Sequence, residues 1–375
     1  MKLPFFHINW NQDDIKSVQG VIESGNYWCL GKEISEFEEA ISKYLGVKYC
    51  VTYNSGGSAL LASMIAANIG QGDEVIVPSF TFIATAYAPL YVNAKPVFAD
   101  VEEKTFGLDP QDVERKITNK TKAILPIHYG GVSCDIEALK KICKKHDLLL
   151  IEDAAEAFGA KFNNKKIGQF GDMSIFSFCQ NKIFTTGEGG CVVTNNDKLY
   201  QKLKIIGSYG RTLEGDYFTD PTDLDYVELG YNLRLPSMLA ALGLSQLKRV
   251  DSLIQKRRKA ANYLNKGLKN ISDIQVPVYP DNYFAVYQMY TIRVNQSKEI
   301  RENLKEYLKS KGIPTKIYFD PVHKYSVFKD MLKNEPSLPN TDILADQVLS
   351  LPIFPDVSIS ELDYIINNIR KFFNK

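Results

Sequence analysis

Between residues 48 and 206 short apolar runs alternate with amphipathic stretches, and this alternation restricts the chain's fold more than any other feature. The runs at 48–53, 74–77, 96–99, 123–127, 148–151, 175–178 and 191–194 read as strands. Stretches at 59–67, 110–116, 135–146 and 197–206 read as helices. Repeated strand–helix alternation predicts an α/β fold: a mostly parallel sheet with helices on both faces. Two amphipathic helices, 13–23 and 33–45, precede it. One long helix at 237–258 is expected to lead into a smaller region, strand-like at 276–294 and 314–319 and helical at 301–311 and 360–373. The chain therefore divides into a large domain, 1–245, and a small C-terminal domain, 246–375.

Two stretches carry chemistry. Leu148-Leu149-Leu150-Ile151 runs straight into Glu152, Asp153 and Glu156. In open α/β sheets ligands sit outside the carboxyl ends of the strands, so Asp153 is expected to face a cleft. It is also placed to cap a helix expected at 154–158. The second stretch holds Lys182 between the apolar run 175–178 and a turn containing Gly187, Gly189 and Gly190. A lysine so placed is not on an obvious solvated face, and a desolvated amine attacks carbonyls to form a Schiff base. Such an amine and a carboxylate at a strand end are the two protein groups that pyridoxal 5'-phosphate (PLP) requires. The amine holds the aldehyde, and the carboxylate keeps the pyridine nitrogen protonated so that the ring acts as an electron sink. Ser55-Gly56-Gly57-Ser58 opens a helix with small residues, which leaves backbone N–H groups available to a phosphate. Taken singly, each feature also has an ordinary reading: a surface lysine, a helix cap, a plain turn.

Composition removes other classes. The 375 residues include 45 basic and 44 acidic side chains, so no basic excess is available to bind nucleic acid. No apolar run approaches the ~18 residues of a membrane span. Residues 1–6 lack the apolar core of a signal peptide. Six cysteines are scattered without a Cys-x-x-Cys pair, which gives no metal site and no disulfide framework and fits reduced thiols in a cytoplasmic protein.

Glu152-Asp153-Ala154-Ala155-Glu156, Phe176-Ser177-Phe178, Asn181-Lys182 and Thr185-Thr186-Gly187-Glu188-Gly189-Gly190 together resemble the DegT/DnrJ/EryC1/StrS sugar aminotransferases, above all their perosamine-synthase-type 4-aminotransferases. The resemblance spans nearly the whole chain. It implies a fold-type I PLP enzyme, with a mostly parallel seven-stranded sheet in the large domain and a smaller α+β C-terminal domain. It makes Lys182 and Asp153 catalytic, and puts Glu156 at the ring where many members carry glutamine. It assigns the phosphate to Gly57, Ser58 and Ser177. The family's usual threonine is absent at Gly57, so Ser58 is expected to supply a hydroxyl. Phe82 would stack on the ring. Asn232, within Gly230-Tyr231-Asn232-Leu233-Arg234, would reach the partner's cofactor across a homodimer and make the active site composite. Trp28 and His323, the latter in Pro321-Val322-His323, would border the sugar. His128 reads as structural.

The implied reaction is transamination of a nucleotide-linked keto-6-deoxyhexose, at a 4-keto group, with L-glutamate as donor. Its product would be a 4-amino-4,6-dideoxy sugar nucleotide for surface glycans such as O-antigen. Amination of a 3-keto sugar or a keto-cyclitol, and a PLP-free regulatory or nucleotide-binding protein, are the rival readings. Lys182 stands where related 3-dehydratases carry histidine, which argues against that branch. No nucleic acid, membrane or metal is expected as a partner.

Overall fold

The computed structural model describes residues 1–212, 225–332 and 334–374. Its main sheet has seven strands, in the order Tyr49–Tyr53, Gly190–Thr194, Met173–Ser177, Leu149–Asp153, Thr121–Ile124, Glu74–Pro78, Lys95–Ala99. Gly190–Thr194 runs antiparallel to both neighbours, and the other pairings inward from Met173–Ser177 are parallel. The runs lack alternation because both faces are covered. Adjacent residues of one strand enter different cores: Phe176 joins Phe37, Ile41 and Phe178, while Ile175 joins Leu60, Met64 and Val192.

The sheet's geometry sets the site. Tyr53, Pro78, Asp153 and Ser177 end their strands on one edge. Gly190 pairs with both Ser177 and Tyr53, so the reversed strand starts at that same edge. The connection from 178 to 189 therefore doubles back over it, carrying Lys182. Gly190 is needed for close approach: a Cβ there would lie 2.7 Å from the Gly56 nitrogen and from Ser55 backbone atoms. Gly56 in turn leaves room for Ser177, whose Cβ would be 2.9 Å from a Cβ at that position.

Three expectations are corrected. The strand runs to Asp153, so Glu152 lies within the sheet, and no helix follows at 154–158. The Ala154 N–H continues the ladder to Ile175 C=O, and Asp153 Oδ1 accepts the Ala155 N–H at 3.1 Å, making a turn. The helix expected at 237–258 is two, Ser237–Leu247 and Val250–Leu268. It breaks where Arg249 turns its guanidinium onto buried Asp14, which also takes hydrogen bonds from Ser245 and Gln246. The strand expected at 314–319 is an extended segment bridged to the sheet only at Lys316–Ser350.

The smaller region holds a three-stranded antiparallel sheet, Ile274–Gln275, Tyr290–Val294 and Val348–Leu351, packed with the Lys298–Ser310 and Ile359–Phe372 helices. Packing passes between cores inside the Val250–Leu268 helix. Leu253 and Ile254 belong to the large core, and Ala260, Ala261, Leu264 and Leu268 to the small one, with Leu3 from the start of the chain. Among the described residues no helix is long and apolar enough to cross a membrane, and no cluster of metal-ligating side chains occurs.

Candidate active site

Lys182 and the two carboxylates meet at the carboxyl edge. Lys182 Nζ lies 3.7 Å from Glu156 Oε1, with the lysine side chain 15% exposed. Asp153 is buried and accepts the Thr85 hydroxyl at 2.7 Å, while Thr85 shares a 2.8 Å hydrogen bond with Thr81. Burial raises the Asp153 carboxyl above its ordinary value, against Thr85, the Ala155 N–H and the Lys182 charge. Burial likewise raises Glu156, opposed by Lys182 and the Gly130 N–H, which donates to Oε2 at 2.9 Å, and aided by the negative charge of Asp153. Two carboxyls held high by desolvation make a site that a cation would relieve.

A third carboxylate has the opposite balance. Glu152 is fully buried and accepts from Ser174 Oγ (2.6 Å), His128 Nε2 (3.0 Å) and the N–H groups of Gly171 (2.7 Å) and Phe170 (3.1 Å). Burial works to raise it, but His128 and these donors hold it below the usual glutamate range. His128 Nδ1 accepts the Cys134 N–H, which assigns its proton to Nε2, and the His128 N–H donates to Asp153 C=O. His128 is thus structural, as read from sequence, and it fixes the backbone that carries Asp153.

The anion seat forms where Tyr53 gives way to the Gly56–Ala66 helix. Ser55 caps the helix through the Ser58 N–H, and Ala59 N–H returns to Ser55 C=O. First-turn donors have no intrahelical acceptor, which leaves the N–H groups of Gly56 and Gly57 for an anion. Ser177 Oγ lies against Gly56. The Ser58 hydroxyl donates to Asn54 Oδ1 at 2.6 Å, so here its proton is already engaged. Phe82 opens the helix after the Glu74–Pro78 strand and is 59% exposed, unusual for a phenylalanine beside a core.

Other expected residues lie elsewhere. Trp28 is 49% exposed, and its C=O accepts the Ser237 N–H beside the Cys29–Pro236 bridge. Asn232 is exposed, and its side chain accepts Arg234 Nε at 3.0 Å. His323 is buried: Nδ1 shares a 2.6 Å hydrogen bond with Ser79 Oγ, and burial lowers its pKa. It ties its loop to the segment leading into Phe82 and presents almost no surface to a ligand. Sequence reasoning missed Thr85 and Gly130. The spacing of Thr81 and Thr85, four apart where a helix starts, was the available signal for the first; a backbone donor such as Gly130 leaves none.

These contacts fit PLP. A pyridine nitrogen takes a carboxylate, an aldehyde takes an amine, and a phosphate takes a helix N-terminus; Asp153, Lys182 and the Gly56–Ser177 seat offer these on one edge. Fold and site together define the class: a PLP-dependent aminotransferase of fold type I. The chain belongs to the DegT/DnrJ/EryC1/StrS aminotransferase family, whose pattern matches residues 9–370. It is 37% identical to a GDP-perosamine synthase of Escherichia coli O157:H7, over 92% of this chain and 91% of that one. It is 36% identical to a UDP-N-acetyl-3-dehydro-alpha-D-glucosamine 3-aminotransferase of Acidithiobacillus ferrooxidans, over 96% and 94%. Among solved structures, Helicobacter pylori PseC, an aminotransferase of pseudaminic acid biosynthesis, superposes with a TM-score of 0.92 at 31% identity, covering 100% of both chains.

Proposed function

We propose that the protein transfers the amino group of L-glutamate to C4 of a nucleotide-linked 4-keto-6-deoxyhexose, giving a 4-amino-4,6-dideoxy sugar nucleotide for surface-glycan biosynthesis. The observation that carries amino transfer is the Lys182 amine 3.7 Å from Glu156, with buried Asp153 near enough to feel its charge. Likeness to a GDP-perosamine synthase over nine-tenths of both chains supports the ring position.

Bound PLP supplies an electron sink for the carbon that loses its proton. Asp153 keeps the ring nitrogen charged. Lys182 would hold the aldehyde carbon and, when free, would take and return the proton as general base. Glu156, raised by burial and 3.7 Å from the Lys182 amine, would place its carboxyl at the ring's hydroxyl side. Gly56, Gly57 and Ser177 would hold the phosphate, with Ser58 fixing the turn, and Phe82 would cover one ring face. In a homodimer, Asn232 and Trp28 serve the partner's site. His323 acts through the Ser79 loop that it fixes. The proposed location is the cytoplasm.

Amination at C3 is the second reading, favoured by the 36% identity to a 3-aminotransferase. Incubating the PLP-loaded protein and glutamate with GDP-, UDP- and dTDP-linked 4-keto and 3-keto sugars, with NMR of the products, decides between them. A C4 amine is expected. A C3 amine overturns the ring position, and no sugar amine from any of them overturns the sugar reading.

A further inference from the structure

The Lys182–Glu156 contact is tied at both ends to one segment of the small domain. On the lysine side, the Gln288 amide donates through Nε2 to the C=O of Asn181 at 2.6 Å, one residue before Lys182. On the glutamate side, the Met289 N–H donates to Gly130 C=O at 3.2 Å and the Val286 N–H to Gly131 C=O at 2.8 Å, while the Gly130 N–H holds Glu156 Oε2. Gly131 permits this meeting. Its φ is +92°, and a Cβ there would lie 2.7 Å from Val286 Cγ2, 2.8 Å from the Gln288 nitrogen and 3.1 Å from Glu156 C=O. The contacts close a ring: Lys182, Asn181, Gln288, Met289, Gly130, Glu156 and back to Lys182.

The segment is itself gripped from behind. Arg257, on the helix shared by the two cores, is buried, and its Nη1 donates to the C=O groups of Tyr287 (3.3 Å), Gln288 (3.4 Å) and Ile353 (3.2 Å). Among the described residues no carboxylate pairs with it, and burial alone lowers its pKa to about 10. A guanidinium in such a place is expensive, because several kcal/mol of hydration are lost and only neutral carbonyls replace it. What it obtains is a fixed backbone at 287–288. Gln288 is buried as well, with Nε2 committed to a loop that its own domain does not contain.

We propose that Gln288, held by Arg257, is a positioning residue that sets the spacing between the Lys182 amine and the Glu156 carboxyl. The role rests on the reading of Lys182 and Glu156 given above and uses neither the sugar nor its ring position. A catalytic lysine must meet successive partners in one geometry, and displacement by about 1 Å can cost on the order of 10²-fold in rate. Gln288 removes the loop's freedom to drift away from Glu156.

The test uses Gln288→Met in the full chain, empty and PLP-loaded, with Arg257→Met and Arg257→Lys alongside. In the empty protein, hydrogen exchange is read at the Lys182 amide, which donates to Cys179 C=O, and at the Gly130 amide, which donates to Glu156. In the loaded protein, the pH midpoint of the visible absorbance and the rate of borohydride trapping at Lys182 are read. Gln288→Met is expected to speed exchange at both amides by about tenfold, as local opening becomes easier without global unfolding. It should also move the absorbance midpoint and lower kcat by about tenfold while the KM values stay within about twofold, because a transition-state geometry is lost rather than a binding contact. Arg257→Met should do the same, and Arg257→Lys, which keeps a cation and donors at the three carbonyls, should restore most of it. A folded Gln288→Met protein with unchanged exchange and an unchanged midpoint overturns the proposal. If that variant does not fold, Gln288→Asn, whose amide ends one carbon short of Asn181, must shift both readouts in the same direction, and failure to do so overturns it equally. Absence of trapping at Lys182 in the unaltered protein instead removes the reading of the lysine itself.

Discussion

At the scale of single residues, three carboxylates in one short stretch are set to different tasks by their surroundings. Asp153 and Glu156 sit high because burial is incompletely answered, and Glu152 sits low because His128, Ser174 and backbone donors answer it. The signs for stability are opposite. Glu152 contributes stability above the ordinary glutamate value, about 4.3, and that contribution is lost as pH falls through its lowered folded value. Asp153 and Glu156 contribute in the empty protein below their ordinary values and lose that contribution as pH rises through their raised ones. PLP should therefore raise the melting temperature more above the raised carboxyl values than below them, because a charged ring and its amine partner offset buried carboxylates that have become ionised; thermal denaturation across a pH series checks this. Lys182→Ala should keep the fold by circular dichroism, lose borohydride trapping, and cut kcat by about 10²–10⁴-fold, the usual worth of a positioned general base. Asp153→Asn should cost about 10²-fold in kcat, as loss of one preorganised charge does; normal turnover by either variant contradicts its role. Both residues were legible because sequence alone places them, one at the end of an apolar run and one before a glycine turn. Gly130 was not, because its contribution is a main-chain N–H that any residue carries.

At the scale of elements, the strands were legible because burial on both faces leaves uninterrupted apolar runs. The failures all involve partners far away in sequence. Nothing local announces that Arg249 will turn onto Asp14, 235 residues before it, and end a helix there. Nothing local shows that Ala154 will pair with Ile175 and carry the chain past a helix start. The anion seat depends on the same kind of long-range fit. Gly190→Ala would drive a methyl group into the Ser55–Gly56 backbone, where little can yield. A loss of about 1–3 kcal/mol in denaturant titration is expected from such overpacking, together with weaker PLP binding, since the helix N-terminus and Ser177 must move apart. His323 shows how a carried-over position can sit in unexpected surroundings. A motif match located its loop, and the structure buries the ring against Ser79.

For the whole molecule, several exposed residues near Asn232 in the chain are apolar. Tyr27, Trp28, Val227, Leu229 and Tyr231 are all exposed there or on the strand of chain tethered to it. If two copies cover that face and exchange Asn232, protomers carrying Lys182→Ala and Asn232→Ala should complement. Random mixing makes half the dimers mixed and each regains one of two sites, so about one quarter of normal activity should return; no recovery on mixing contradicts the composite site. The Val250–Leu268 helix has a consequence of its own. A single rod is nailed into two interiors, by Leu253 and Ile254 at one end and by Leu264 and Leu268 at the other. Neither interior can dissolve without stripping the shaft that the other grips, so calorimetry should record one endotherm rather than separate ones for the large and small regions.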